Sequence, residues 1–166
     1  MKTVTGLLPF AVVLAGIGWA VSWLLARDVT IGRWVLGGFL VAHGLIHSMF
    51  VLPAPATSAA ADGTAWPFDM SQSWLVTGAG LDLGPVRLVG ATLVVVVGVG
   101  FLLAGLATVG VVVPSGWWPF LVAGSAATSV LLLALFFSPT LILGIAIDAV
   151  LAWVVLASAW SPAASS

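Results

Sequence analysis

Long apolar runs, interrupted at a few points by charges, prolines and short polar clusters, set the pattern of this chain. Five of them lie near residues 6–25, 31–52, 87–113, 117–137 and 140–160. At ~17 to 25 residues each, they are long enough to cross a hydrocarbon core as helices. From Leu88 to Ile147 no residue is charged, and as one helix that stretch would reach about 90 Å, near three crossings of a ~30 Å core. It must therefore fold back on itself. Pro114-Ser115-Gly116 and Ser138-Pro139-Thr140 supply the breaks, and Arg27, Asp28 and Arg33 mark the first connection. Pro139 is read as a hairpin, although proline is also tolerated as a kink inside membrane helices. The pattern predicts an all-α fold, a polytopic transmembrane bundle of about five spans forming one membrane domain over 1–166.

The connection at 53–85 is different. It opens with Pro53-Ala54-Pro55-Ala56-Thr57-Ser58-Ala59-Ala60-Ala61, which has little capacity to form a core. The following Trp66-Pro67-Phe68-Asp69-Met70-Ser71-Gln72-Ser73-Trp74-Leu75 combines a candidate N-cap, Asp69, with aromatic anchors. It reads either as a short interfacial helix or as an irregular loop among headgroups. Lys2 before the first apolar run resembles a secretory signal. However, that run exceeds 7–15 residues and lacks a small-x-small cleavage site, so it reads as a span.

Composition strengthens the membrane assignment: 62% of residues are hydrophobic and 5% charged, with a mean hydropathy of +1.29. Soluble domains carry roughly one-quarter charged residues. A net charge of −1, without a basic stripe, argues against nucleic acid as a partner. The lipid bilayer is the expected partner, together with another membrane protein or a second copy of the chain. With no cysteine, disulfides, thiolate metal sites and iron–sulfur clusters are excluded. Lys2 and Arg87 fall on one side of a five-span arrangement and Arg27 and Arg33 on the other, so the positive-inside count is a tie. The Ala/Pro/Ser/Thr-rich connection favours an external N-terminus.

Against this background His43 and His47 stand out as the two histidines, four residues apart inside an apolar run. Ionisable groups in lipid are costly and mark functional sites. Helix parity puts the end of the second span and the start of the fifth on one membrane face, which brings Asp148 into question. Counted from that face, His43, His47 and Asp148 lie about 14, 8 and 12 Å deep. Gly144, Asp148 and Ala152 form a row of small residues, and Gly44 and Ser48 flank the histidine face. Both features permit close helix approach, although Gly98, Gly105, Ala15 and Gly18 show that such residues are general here.

Three uses follow if the side chains meet. His43, His47 and Asp148 could ligate a divalent metal such as zinc, with water in the fourth position. They could form a proton relay or a polar site for a small ligand. Or they could hydrogen-bond across helices as a structural lock, with Asp148 partnered by His47 or by a hydroxyl such as Ser48. An HExxH metalloprotease is excluded because the chain has no Glu. Two histidines on one helix face cannot supply opposite axial ligands to one haem iron. No nucleophile elbow or P-loop appears, so the reading leans away from an enzyme.

Nine tryptophans are read mainly as interfacial anchors: Trp23, Trp34, Trp117, Trp118 and Trp160 at one face, and Trp66 and Trp74 at the other. Trp19 and Trp153 lie deeper and could pack together or line a cavity. Leu8-Pro9-Phe10-Ala11-Val12-Val13 and Trp118-Pro119-Phe120-Leu121-Val122-Ala123 are alike, but too briefly to establish an inverted repeat.

His43-Gly44-Leu45-Ile46-His47, Trp117-Trp118-Pro119 and Phe137 through Asp148 together resemble small bacterial multi-span membrane proteins with an HGLIH-type helix. The resemblance covers about residues 36–52 and 117–152 and brings no activity with it. It implies a four-helix core to which residues 6–25 are an N-terminal addition. With the Gly/Ala/Val-rich composition, it suggests a multi-pass protein of a bacterial cytoplasmic membrane. The expected function is binding of a metal, proton or small ligand at an intramembrane His/Asp site; the alternative is a structural or accessory subunit without chemistry.

Overall fold

The computed structural model describes residues 19, 29–53, 66–157 and 162. Apart from Trp19, the expected first span lies outside the described residues. Among the described residues every regular element is helical. Helix α1, Val29–Ile46, passes into a 3-10 turn, His47–Phe50. A 3-10 turn at Met70–Gln72 and the four-residue α2, Trp74–Thr77, precede the long α3, Leu83–Val109. Then come α4, Trp118–Leu135, and α5, Ile142–Ala157, each entered through a 3-10 turn. Three helical stretches, Leu83–Val109, Ser115–Leu135 and Pro139–Ala157, are long and apolar enough to cross a membrane. This architecture is consistent with an integral membrane protein, and Leu88, Val95, Phe120 and Leu156 turn outward on it as lipid-facing residues would.

The element boundaries differ from the expected ones for local reasons. Helix α3 starts at Leu83, not residue 87, because Pro85 is tolerated in a first turn whose N–H groups have no intrahelical partner. It ends at Val109, not 113. Gly110 adopts the left-handed conformation (φ 72°, ψ 23°), and Val111 N–H donates to Leu106 O across the cap. At Pro139 the chain does turn: Ser138 is extended, and the helices on either side pack against each other.

Helix α1 packs on α3, α3 on α4, and α4 on α5. Where α1 crosses α3 the backbones nearly touch. A Cβ placed on Gly105 would lie 2.7 Å from the Gly37 carbonyl oxygen, and one on Gly44 would lie 2.8 Å from Phe101 Cβ. Without lipid-exclusion to drive helices together, such close approach supplies the dispersion contact. Leu40, Val97, Phe101, Trp118, Val122 and Leu151 fill the centre. Trp118 is therefore a core residue, 1% exposed, and not the interfacial anchor expected of it. Trp19 and Trp153, expected to pack together or to line a cavity, instead turn outward, 68% and 65% exposed.

A second cluster, with Phe50, Met70, Phe136 and Leu141, closes the end of the bundle where the 66–82 connection lies. That connection is neither one helix nor an irregular loop. Asp69 accepts from Ser71 N–H (2.9 Å) to cap the 3-10 turn, and Ser73 accepts from Leu75 N–H (3.2 Å) to begin α2. Ser73 Oγ also donates to Leu135 O (2.6 Å) and Trp74 Nε1 to Ala134 O (3.0 Å). These two carbonyls belong to the last turn of α4, which has no further turn to satisfy them. The connection thus fastens itself onto a helix end.

Candidate functional site

His43 on α1 and His47, the first residue of the 3-10 turn that continues it, both point toward α4 and α5, as a spacing of four allows. Both are buried, at 5% and 3% exposure, and Asp148 on α5 is 0% exposed. The structure brings the three together: one ligand atom from each falls within 4.8 Å of the others. The partners are not those expected. Asp148 Oδ1 pairs with His43 Nε2 at 2.9 Å. Its other oxygen, Oδ2, lies 2.5 Å from Ser129 Oγ on α4, and Ser129 Oγ lies 2.7 Å from His47 Nε2. His47 therefore reaches Asp148 through a hydroxyl. Ser48, the hydroxyl named from sequence, is a correction: it is half-buried and donates to its own helix at Leu45 O.

Sequence reasoning missed Ser129. Hydroxyls in helices commonly satisfy themselves on the carbonyl four residues back, as Thr92, Thr108 and Thr128 do. Ser129 instead reaches two other helices. A depth count would have flagged it, since it lies seven residues before Phe136, or about 10 Å from the face used for the histidines.

The rings are held by aromatic neighbours. His43 stacks on Phe39, with ring centroids 5.9 Å apart and 10° between planes, and meets Phe101 edge-on at 4.9 Å. His47 is fixed by a backbone contact: its Nδ1 donates to His43 O at 2.9 Å. A carbonyl only accepts, so Nδ1 carries a proton and Nε2 faces Ser129.

Proton counting then allows two arrangements in which His43 donates to Asp148 and every contact keeps a donor and an acceptor. In one, Asp148 is a carboxylate, Ser129 donates to it, and a doubly protonated His47 donates to Ser129. In the other, Asp148 carries a proton on Oδ2 and donates to Ser129, and Ser129 donates to neutral His47. Two protons each shift across one short hydrogen bond between these states, and the summed charge is the same. Both keep the two Asp148 oxygens, Ser129 Oγ and both His47 nitrogens partnered, as burial demands.

Among the described residues the four site side chains are all buried. Clefts of about 540 and 160 Å³ lie at the end of the bundle beside the 66–82 connection, and neither is lined by the four site residues. No family model matches the chain, and comparison with curated proteins and with solved structures finds no match. Function must therefore be read from the side chains themselves.

Proposed function

We propose that this is a multi-pass membrane protein that binds protons at His43, Asp148, Ser129 and His47 and passes them between carboxylate and imidazole inside the bilayer. Helix α1 and its 3-10 turn together extend about 35 Å, enough to make a fourth crossing beside the three long apolar stretches. Residues 6–25 then add a fifth, and the bacterial cytoplasmic membrane is the setting that the composition favours. The observation that carries the proton reading is Ser129 Oγ lying within hydrogen-bond distance of both Asp148 Oδ2 and His47 Nε2. One hydroxyl between an acid and a base is the minimum wire for proton transfer, and buried Asp/His pairs in membranes serve such relays.

Infrared difference spectra of the reconstituted protein, taken between acidic and alkaline pH, test this directly. A carboxyl band that is sensitive to deuteration, absent in Asp148→Asn and displaced in Ser129→Ala is expected, with a paired imidazole change lost in His47→Ala. A spectrum in which neither group responds would overturn the reading. It would leave the four side chains as a clamp between helices, the expected alternative of a structural subunit.

A further inference from the structure

The same cluster has a second capacity that does not require proton transfer. We infer that His43 Nε2, His47 Nε2 and the Asp148 carboxylate bind one divalent transition-metal ion of borderline softness, zinc or cobalt, leaving the fourth position of the shell to a water that enters with the ion. The inference rests on the reading above only in treating these residues as a ligand site and not as a lock.

Three features of the geometry support it. First, the donors are of the right kind and number: two imidazole nitrogens and one carboxylate form a three-ligand set that leaves a position for water. Second, they are close. Bonds of about 2.0–2.1 Å in a tetrahedral shell put ligand atoms roughly 3.3 Å apart; here His43 and Asp148 are 2.9 Å apart and the whole set lies within 4.8 Å. Third, the supporting bonds are present. Metal-binding imidazoles are commonly oriented by giving their other N–H to a carbonyl, which His47 does to His43 O. The carboxylate is steadied by Ser129.

Donor type sets the choice of ion. Without thiolate or thioether ligands a soft ion is disfavoured, and with two imidazoles calcium and magnesium are poorly matched. The proton balance is simple. His43 moves its proton from Nε2 to Nδ1, and the proton shared by Asp148, Ser129 and His47 leaves as the ion enters.

Cobalt(II) added to the detergent-purified full chain tests the site. Visible absorption of a four-coordinate ion is expected, saturating at one ion per chain with one proton released. His43→Ala and His47→Ala should abolish it, and Ser129→Ala should weaken binding by about 10- to 100-fold, as loss of a ligand-orienting group does. Ser48→Ala should leave it unchanged. Should the alanine variants fail to fold, Asp148→Asn serves instead, with zinc raising the melting temperature of the wild type and not of the variant. No cobalt absorption at millimolar metal, or absorption that persists in folded His47→Ala or Asp148→Asn protein, would overturn the inference. Cobalt binding without the infrared response would remove the proton reading and keep this one; the infrared response without cobalt binding would do the reverse.

Discussion

Asp148 and Ser129 make separable predictions because asparagine can imitate one proton arrangement and alanine can imitate neither. In Asp148→Asn the amide N–H₂ takes the place of Oδ2–H and donates to Ser129, while the amide oxygen still accepts from His43. If the interior avoids separated charge, this variant loses no more than about 1 kcal/mol. If a carboxylate faces a charged His47, removing it strands the imidazolium and costs about 3–5 kcal/mol. Unfolding in mixed detergent, followed by circular dichroism, distinguishes these outcomes, and the smaller loss is expected. Ser129→Ala should be the more damaging change, by about 1–3 kcal/mol, because it leaves Asp148 Oδ2 and His47 Nε2 without a partner. A Ser129→Ala protein as stable as wild type would mean that the hydroxyl links nothing. At this scale the sequence was legible for the ionisable groups and not for the hydroxyl joining them. Charge inside lipid is conspicuous, whereas a serine in a helix ordinarily satisfies itself on its own backbone.

Among the helices, the contact between α1 and α3 gives the clearest test, since two glycines of α3 sit in different surroundings. A methyl group at Gly105 meets the Gly37 carbonyl and Val41 Cγ2, each at 2.7 Å, and backbone cannot yield without moving the helix. At Gly98 the nearest atom is Gly44 O at 3.9 Å, an ordinary contact. Gly105→Ala should therefore destabilise by about 1–3 kcal/mol through overpacking, while Gly98→Ala should be near neutral or slightly stabilising. Equal effects in the same unfolding assay would show that helix propensity, not the crossing, sets the response. Apolar runs and proline breaks located the long helices because those features act locally. Their ends were less legible: Gly110 ends α3 through a left-handed cap that a charge-free run of valines obscures. The docking of Ser73 and Trp74 onto the end of α4 joins residues about sixty positions apart, a contact that no local pattern contains.

For the whole molecule, the membrane arrangement is the decisive expectation, because it determines which ends of the helices share an aqueous face. The sequence supplied this through parity alone, and the structure places Phe50 against Phe136 and Leu141 at one end of the bundle. The same end holds the 66–82 connection, through its bonds to Leu135 and Ala134. The turn between α3 and α4 must then lie at the opposite end, since Trp118–Leu135 runs from one to the other. The chain has no cysteine, so single cysteines can be read without background. Ala79→Cys and Thr140→Cys, both at exposed positions, should react with a membrane-impermeant maleimide from the same side of sealed vesicles. Gly116→Cys, also exposed, should react from the other. Labelling of all three from one side would mean that the Ser115–Leu135 stretch does not cross. Ser129 would then no longer lie within the hydrocarbon, and the site would lose the water-poor surroundings on which the proposed proton transfer depends.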